Sequence, residues 1–94
     1  MIIEKNMEYK ILFNSEKLIN KDISKIPKQN LDLIFNKLNF LKIQPLNNSQ
    51  IKKLSNYNIC DYRLRVGDFR ILFNIDSLNK TIIIFRILHR SKLY

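Results

Sequence analysis

The 94-residue sequence contains one glycine, two prolines, one cysteine and no tryptophan. A single cysteine cannot form an internal disulfide or a cysteine-based metal site, which favours a reducing compartment. The longest apolar run, Ile82–Phe85, is far too short to span a bilayer, and Met1–Lys5 lacks the layout of a secretory signal. We therefore expect a cytoplasmic protein without a membrane segment, in which residues 1–94 form one domain and residues 1–7 are a loose N-terminal extension.

Acidic residues are also scarce. Eight Asp and Glu stand against 17 Lys and Arg, which gives a net charge of +9 and a pI near 9.9. Such a balance favours a polyanionic partner. Lysines are spread from Lys5 to Lys92, whereas all five arginines fall between Arg63 and Arg90. Because a guanidinium group grips phosphate with two parallel hydrogen bonds, this clustering predicts a phosphate-binding surface in the last third of the chain.

The first half of the chain has one strand pattern and two helix patterns. Apolar residues alternate within Glu8–Phe13, which predicts a strand. Ser15 can cap a following helix, whose isoleucines recur at i, i+4 and i+7 before Pro27 ends it. A second helix is predicted at about residues 28–42. The two form a helical hairpin, and residues 44–58 are predicted to be a linker.

From Ile59 onward the apolar period changes to two, which indicates strands. Gly67 and Asp68 can form a two-residue hairpin turn, and Thr81–His89 is the last predicted strand. The predicted order is therefore β-α-α-β-β-β. This order indicates an α+β fold, in which the N-terminal helical hairpin packs on one face of a mainly antiparallel, twisted sheet.

The two-residue turn also predicts where the arginines point. It places Arg65 opposite Arg70 on one face of the hairpin. If the apolar residues of the three strands cover the helices, all five arginines lie on the other face. The apolar residues expected on the helix side are Leu64, Val66, Phe69, Ile71, Phe73, Ile83, Phe85 and Ile87.

An arginine patch of this kind is costly for folding. Like charges directly opposite one another on a sheet destabilise it by up to about 1 kcal/mol per pair. The acids in this half of the chain, Asp61, Asp68 and Asp76, all fall near strand ends or turns. The patch therefore indicates phosphate binding rather than a role in folding.

Two segments carry a family resemblance. Tyr62–Phe73, YRLRVGDFRILF, resembles the central hairpin of the RelE/ParE toxin superfamily, whose pattern is Tyr-Arg-x-Arg-x-Gly-x-Tyr/Phe-Arg. Ile83–Tyr94, IIFRILHRSKLY, is similar to the closing strand of that family, with its His-Arg-x-x-x-Tyr ending. Upstream, Lys52–Leu54 matches a basic element often found before the hairpin. The resemblance extends from Glu8 to Tyr94 and implies a RelE-like fold.

The resemblance implies the toxin of a type II toxin–antitoxin system. Members of the RelE branch enter the ribosomal A site and cleave messenger RNA there with neither a metal nor a cofactor. The 2′-hydroxyl of the messenger attacks the neighbouring phosphate, and translation is inhibited. The implied partners are the ribosome, its mRNA and a cognate RelB-like antitoxin, which we expect to be acidic and partly disordered.

The residues implied in catalysis lie in the hairpin or at the end of the last strand: Arg63, Arg65, Arg70, His89, Arg90 and Tyr94. By position in the family pattern, Arg70 holds the scissile phosphate and Tyr94 stacks on the substrate base. A guanidinium group stays protonated and cannot serve as a base, so the proton-transfer candidates are Tyr94 and His89. Strict alternation places His89 on the helix-covered face.

Contacts to RNA backbone are expected from Lys52, Lys53 and Arg86. Three other functions stay open. A ParE-like inhibitor of DNA gyrase has the same fold but generally lacks the phosphate-gripping arginine and the terminal tyrosine. A non-catalytic RNA-binding relative is favoured by arginines at positions that are lysine in some nucleases. A nucleic-acid-binding domain unrelated to toxins requires the motif match to arise by chance.

Overall fold

A computed structural model describes residues 8–43, 45, 50–55 and 59–93. Its elements are β1 (Lys10–Phe13), α1 (Glu16–Ile23), α2 (Lys28–Ile43), β2 (Ile51–Lys53), β3 (Tyr62–Val66), β4 (Phe69–Asp76), β5 (Thr81–His89) and a 3-10 turn (Arg90–Lys92). The predicted α+β class and element order are confirmed, with β2 as an addition inside the predicted linker. The extension predicted at residues 1–7 lies outside the described residues.

Local sequence explains where each helix of the helical hairpin begins. The Ser15 side chain accepts a hydrogen bond from the Leu18 N–H at 3.3 Å, which caps the start of α1 as predicted. Pro27 separates the helices, and α2 begins at the next residue. None of the helices in the described ranges combines the length and apolar character needed to cross a bilayer.

The five strands form one sheet in the order β1-β5-β4-β3-β2. The β2–β3, β3–β4 and β4–β5 pairs are antiparallel, whereas β1 pairs parallel with β5. The last strand of the chain is therefore inserted between β1 and β4. Helix α1 packs on β5, and α2 approaches β3. Both helices contribute to one core together with Leu64 and Ile71 of the sheet, so they lie on the same face. The opposite face, which neither α1 nor α2 covers, is called the open face below.

The core fills the space between the helices and the sheet. Its buried residues are Ile19, Ile26, Ile34, Leu38, Leu41, Leu64, Val66, Phe69, Ile71, Phe73, Ile82, Ile84 and Ile87. The alternation predicted for β3 and β4 is confirmed, because Leu64, Val66 and the three residues predicted in β4 all belong to this set. In the last strand the prediction is correct only for Ile87.

A β-bulge in β5 causes this difference. Leu72 pairs with Arg86, but the next residue, Phe73, pairs with Ile84, so Phe85 is an extra residue in the strand. An inserted residue reverses the alternation on one side of the bulge. The predicted core positions Ile83 and Phe85 are therefore only half-buried, and Ile82 and Ile84 take their places in the core.

Candidate nucleic-acid interface

The central hairpin is built on the single glycine of the chain. Gly67 has a φ of 57°, a left-handed conformation that favours glycine over any residue with a Cβ. It stands first in the predicted two-residue turn, where a hairpin of this type accepts glycine most readily. Val66 consequently pairs with Phe69 and Arg65 with Arg70, as predicted. The turn therefore determines that two arginines lie side by side on the open face.

Four cations converge on this face. Lys52, Arg63, Arg65 and Arg70, together called the basic cluster below, line one shallow pocket with Gln50 and Ile51. Strand β2 supplies the lysine, because Lys52 pairs with Arg63 across the β2–β3 ladder. Within the described part of the chain, the lining of this pocket contains no carboxylate. An anion bound there would meet several positive charges and, among these lining residues, no competing negative one.

Arg70 is held in place by the turn beneath it. Its NH1 donates to the carbonyl oxygens of Gly67 and Phe69, each at 2.9 Å, and the side chain is half-buried. A guanidinium group has five N–H donors, more than the two that these bonds use. The contacts reduce the conformational freedom of Arg70, which lowers the entropy cost of holding a phosphate.

Arg90 contacts the same turn from the end of β5, where His89 pairs with Phe69. Its backbone N–H donates to the Asp68 carbonyl oxygen at 2.7 Å, and its Nε lies 3.7 Å from the Asp68 carboxylate. Both side chains are 63% exposed, so this ion pair contributes little to stability. The turn therefore brings Arg70 and Arg90 into one neighbourhood.

Lys53 lies beside the basic cluster rather than within it. It follows Lys52 in β2 and lines a second pocket together with Arg63. The sequence reading assigned both lysines to a linker that contacts RNA. The structure places them in an edge strand paired with β3, which fixes their distance from the arginines.

Arg86 does not join the basic cluster, although its register keeps it on the predicted face, since it pairs with Leu72, which pairs in turn with Arg63. Its Nε and NH2 donate to the Asp22 carboxylate of α1 at 2.8 and 2.7 Å. The bulge at Phe85 changes the alternation of the residues before it, whereas Arg86 and Ile87 keep the predicted alternation. The described structure therefore gives Arg86 a role in joining the sheet to α1.

Asp22 is the residue that sequence reasoning missed. It is 4% exposed and also accepts the Ile87 N–H at 3.0 Å. Burial raises its pKa, but the hydrogen bonds from Arg86 and Ile87 and the nearby charge outweigh this effect, so the net pKa is lowered. Asp22 belongs to α1, in the other half of the chain from the acids near the strands, so the sequence did not predict that it neutralises Arg86.

His89 lies on the helix side of the sheet, as the alternation predicted. It pairs with Phe69, and the two rings meet edge to face with centroids 5.4 Å apart. Its Nδ1 accepts the Ser91 N–H at 3.2 Å and caps the 3-10 turn. Nδ1 is thereby engaged locally, and the ring faces a cleft lined by α1 and the C-terminal segment. The remaining candidate, Tyr94, lies outside the described residues.

Comparison with known proteins identifies the family of this chain. A family model described as the ParE toxin of type II toxin–antitoxin system, parDE, matches residues 16–94. No curated protein matches the chain in sequence.

Solved structures with the same fold come from toxin–antitoxin complexes. A chain of the RelBE2 complex from Mycobacterium tuberculosis superposes with a TM-score of 0.73 at 26% identity, covering 88% of this chain and 99% of that chain. A chain of the RelB–RelE complex from Methanococcus jannaschii has a TM-score of 0.68 at 29% identity, with coverages of 88% and 94%.

A chain of the RelE–RelB complex from Pyrococcus horikoshii has a TM-score of 0.73 at 22% identity, with coverages of 90% and 98%, and supports the fold alone. The family model extends over both helices and all the strands that carry the basic cluster. The chain is thus a type II toxin that belongs to the ParE toxin family, within the RelE/ParE superfamily.

Proposed function

We propose that this toxin is an endoribonuclease that cleaves messenger RNA on the ribosome in the cytoplasm. The observation that carries the proposal is the basic cluster, in which three arginines and a lysine share a pocket whose lining has no carboxylate among the described residues. Its open position on the sheet face lets a nucleic-acid strand reach it.

The chemistry requires stabilisation of negative charge. In the proposed step the 2′-oxygen attacks the adjacent phosphorus, the bond to the 5′-oxygen breaks, and a 2′,3′-cyclic phosphate and a 5′-hydroxyl form. A proton leaves the 2′-oxygen and a proton reaches the 5′-oxygen. Negative charge accumulates on the phosphorane between these events, and preorganised cations stabilise it more than water does. Arg70, restrained by Gly67 and Phe69, is the residue assigned to the scissile phosphate.

Proton removal needs a side chain other than arginine. Tyr94 and His89 are the two candidates from the sequence. His89 lies on the face of the sheet that the helices cover, and its Nδ1 accepts a hydrogen bond from the Ser91 N–H. The basic cluster lies on the other face, so we assign the proton transfer to Tyr94 and keep Arg90, anchored at the same turn as Arg70, as an additional cation.

The first prediction concerns the reaction itself. Induced expression should arrest growth and generate cuts in translated mRNAs, because the basic cluster is proposed to bind the phosphates of the messenger in the ribosome. Mapping RNA 5′ ends with and without a translation inhibitor measures this directly. Cuts should disappear when translation is blocked.

A second candidate function is inhibition of DNA gyrase, because the matching family model is described as the ParE toxin. The same experiment separates the two. Intact translated mRNA, together with gyrase stalled on DNA by the purified protein, would contradict the nuclease proposal and establish the gyrase activity instead.

The second prediction concerns the partner. The three similar structures are complexes that contain an antitoxin, and a domain of net charge +9 attracts an acidic chain. We expect a small acidic, partly disordered protein encoded beside the toxin to restore growth on co-expression and to copurify with it. If no neighbouring reading frame restores growth, the assignment of a cognate antitoxin is contradicted.

A further inference from the structure

The chain turns sharply where the last strand ends. His89, the final residue of β5, has an extended backbone with a φ of −64° and a ψ of 143°, and the 3-10 turn Arg90–Lys92 follows at once. Two residues assigned to the reaction belong to this end of the chain. Arg90 is the first residue of the turn, and Tyr94 comes two positions after its last residue. The groups that hold the turn therefore determine where Arg90 lies.

His89 holds the turn through one ring nitrogen. The Ser91 N–H donates to Nδ1 at 3.2 Å, and the Ser91 hydroxyl oxygen lies 2.9 Å from the same atom. A ring nitrogen that accepts an N–H bond carries no proton of its own, so the neutral ring carries its proton on Nε2. The contact is a capping bond, in which a side chain satisfies a backbone donor at the start of a helical turn.

The core braces the imidazole ring from its other side. The ring meets the Phe69 ring edge to face with centroids 5.4 Å apart, and Phe69 is 8% exposed. The Phe69 carbonyl oxygen accepts a hydrogen bond from Arg70 NH1 at 2.9 Å. One core residue thus supports His89 through its ring and Arg70 through its backbone. The turn that begins at Arg90 and the arginine assigned to the scissile phosphate therefore share a support.

The contacts of Arg90 itself fix less of the turn. Its backbone N–H bonds to the Asp68 carbonyl oxygen at 2.7 Å, which anchors the backbone at one point. Its ion pair with Asp68 is 3.7 Å long and exposed, so it is weak. A single anchored point leaves the turn free to rotate about it. The bond from Ser91 to His89 supplies a second point, which defines the direction in which the turn leaves the strand.

We propose that His89 is a positioning residue for RNA cleavage, whose Nδ1 orients the turn that presents Arg90 and continues to Tyr94. The inference rests on the proposed function for the reaction that it serves. It adds a residue that acts through others and does not touch the reacting atoms. This role agrees with the location of the ring beside Phe69, on the face of the sheet opposite the basic cluster.

Two amide substitutions test the role. In His89→Asn the side-chain oxygen is attached to Cγ, as Nδ1 is in histidine, and asparagine is a preferred capping residue, so cleavage of translated mRNA should stay within about 2-fold of the wild type. In His89→Gln the oxygen lies one bond further out, and His89→Ala has no acceptor. Both should lose about 10-fold to 100-fold in the single-turnover rate constant, as a small displacement of a catalytic group does.

Two further measurements separate positioning from binding and from folding. The ribosome concentration that gives half the maximal rate should be unchanged in all three variants, because the basic cluster is intact. Ser91→Ala is the matched control, since it removes the hydroxyl near Nδ1 but keeps the backbone donor, and it should cleave like the wild type. The His89 side chain is exposed, so His89→Asn and His89→Gln should unfold at nearly the same temperature.

The ring tautomer gives a readout that does not depend on cleavage. Nitrogen-15 NMR of the wild type in alkaline buffer, where imidazole is neutral, should find the proton on Nε2. Three results would overturn the positioning role: equal losses of cleavage in His89→Asn and His89→Gln, full cleavage by His89→Ala, or a neutral ring protonated on Nδ1. Translated mRNA left uncut by the wild type would instead refute the proposed function, and this role with it, whichever tautomer is found.

Discussion

Replacing Arg70 with alanine is expected to reduce cleavage of translated mRNA by more than about 100-fold, the size of effect seen when one transition-state donor is removed. Arg70 is the arginine whose guanidinium is positioned by backbone carbonyls at 2.9 Å, so its loss removes a preorganised contact. Binding to ribosomes should change far less, because the remaining cations still supply salt-dependent attraction to RNA. Single-turnover cleavage and ribosome cosedimentation measure the two effects separately.

Arg70→Lys distinguishes the guanidinium fork from its charge. Lysine keeps the positive charge but loses two parallel hydrogen bonds to phosphate, so its activity should fall between those of the wild type and Arg70→Ala. Lys37→Ala, an exposed lysine of α2 on the other side of the sheet, is the control for loss of one charge and should cleave normally. Wild-type cleavage by Arg70→Ala would show that the proposed active site is wrong.

Folding is not expected to confuse this result. The substitution removes two hydrogen bonds, each worth about 1 kcal/mol. It also removes the repulsion between Arg65 and Arg70, which directly oppose one another and which costs up to about 1 kcal/mol. These effects have opposite signs, so the free energy of unfolding should change by much less than the activity.

Asp22→Ala is expected to lower the free energy of unfolding by about 3 kcal/mol, near the lower end of the cost of breaking a buried ion pair. The substitution leaves the Ile87 N–H without its acceptor and the Arg86 guanidinium without its carboxylate. The lower end applies because the Arg86 side chain is 31% exposed and water can partly solvate it. Urea unfolding at neutral pH measures the change. Asp22→Asn should lose less, because its amide oxygen can still accept from Ile87.

The same residue makes stability depend on pH. The pKa of Asp22 is lower in the folded chain than its ordinary value of 3.8, so its contribution is complete above that value. It is lost as the pH falls through the folded pKa. The wild type should therefore lose more stability between pH 6 and acid conditions than Asp22→Asn does.

Asp32→Asn is the control for this comparison, since Asp32 is an exposed acid of α2. Hydrogen bonds from Asn79 also lower the pKa of Asp76, and this contribution is common to all the variants. Identical acid sensitivity in the wild type and Asp22→Asn would refute the role of the ion pair.

The hairpin could be predicted from sequence because its determinants are local. A two-residue turn at Gly67 and Asp68 makes Val66 and Phe69 the first pair across the hairpin. The next pair is then Arg65 and Arg70, and the period of two places both on one face. The helices were predicted for the same reason, from Ser15, Pro27 and the spacing of isoleucines. These signals extend over a few residues and require no knowledge of distant parts of the chain.

The remaining features depend on contacts between distant segments. The bulge at Phe85 has no glycine or proline to mark it, and it appears only when β5 is matched against β4. Arg86 is neutralised by Asp22, 64 positions away. Strand β2 has three residues and an Asn- and Ser-rich setting, and it becomes a strand by pairing with β3. For these reasons the basic cluster was predicted for the hairpin arginines, whereas the ion pair that engages Arg86 with α1 was not.

The position of β5 in the sheet determines when the protein can fold. In the described sheet β1 pairs with β5 alone, and Lys10 lies opposite Thr81. Contacts between such distant positions require closure of a long loop before they stabilise anything, which slows folding. During synthesis β1 and α1 emerge first but meet their partners last. A chain interrupted before Thr81 cannot close its sheet, so the toxin reaches its folded form only after β5 has been synthesised.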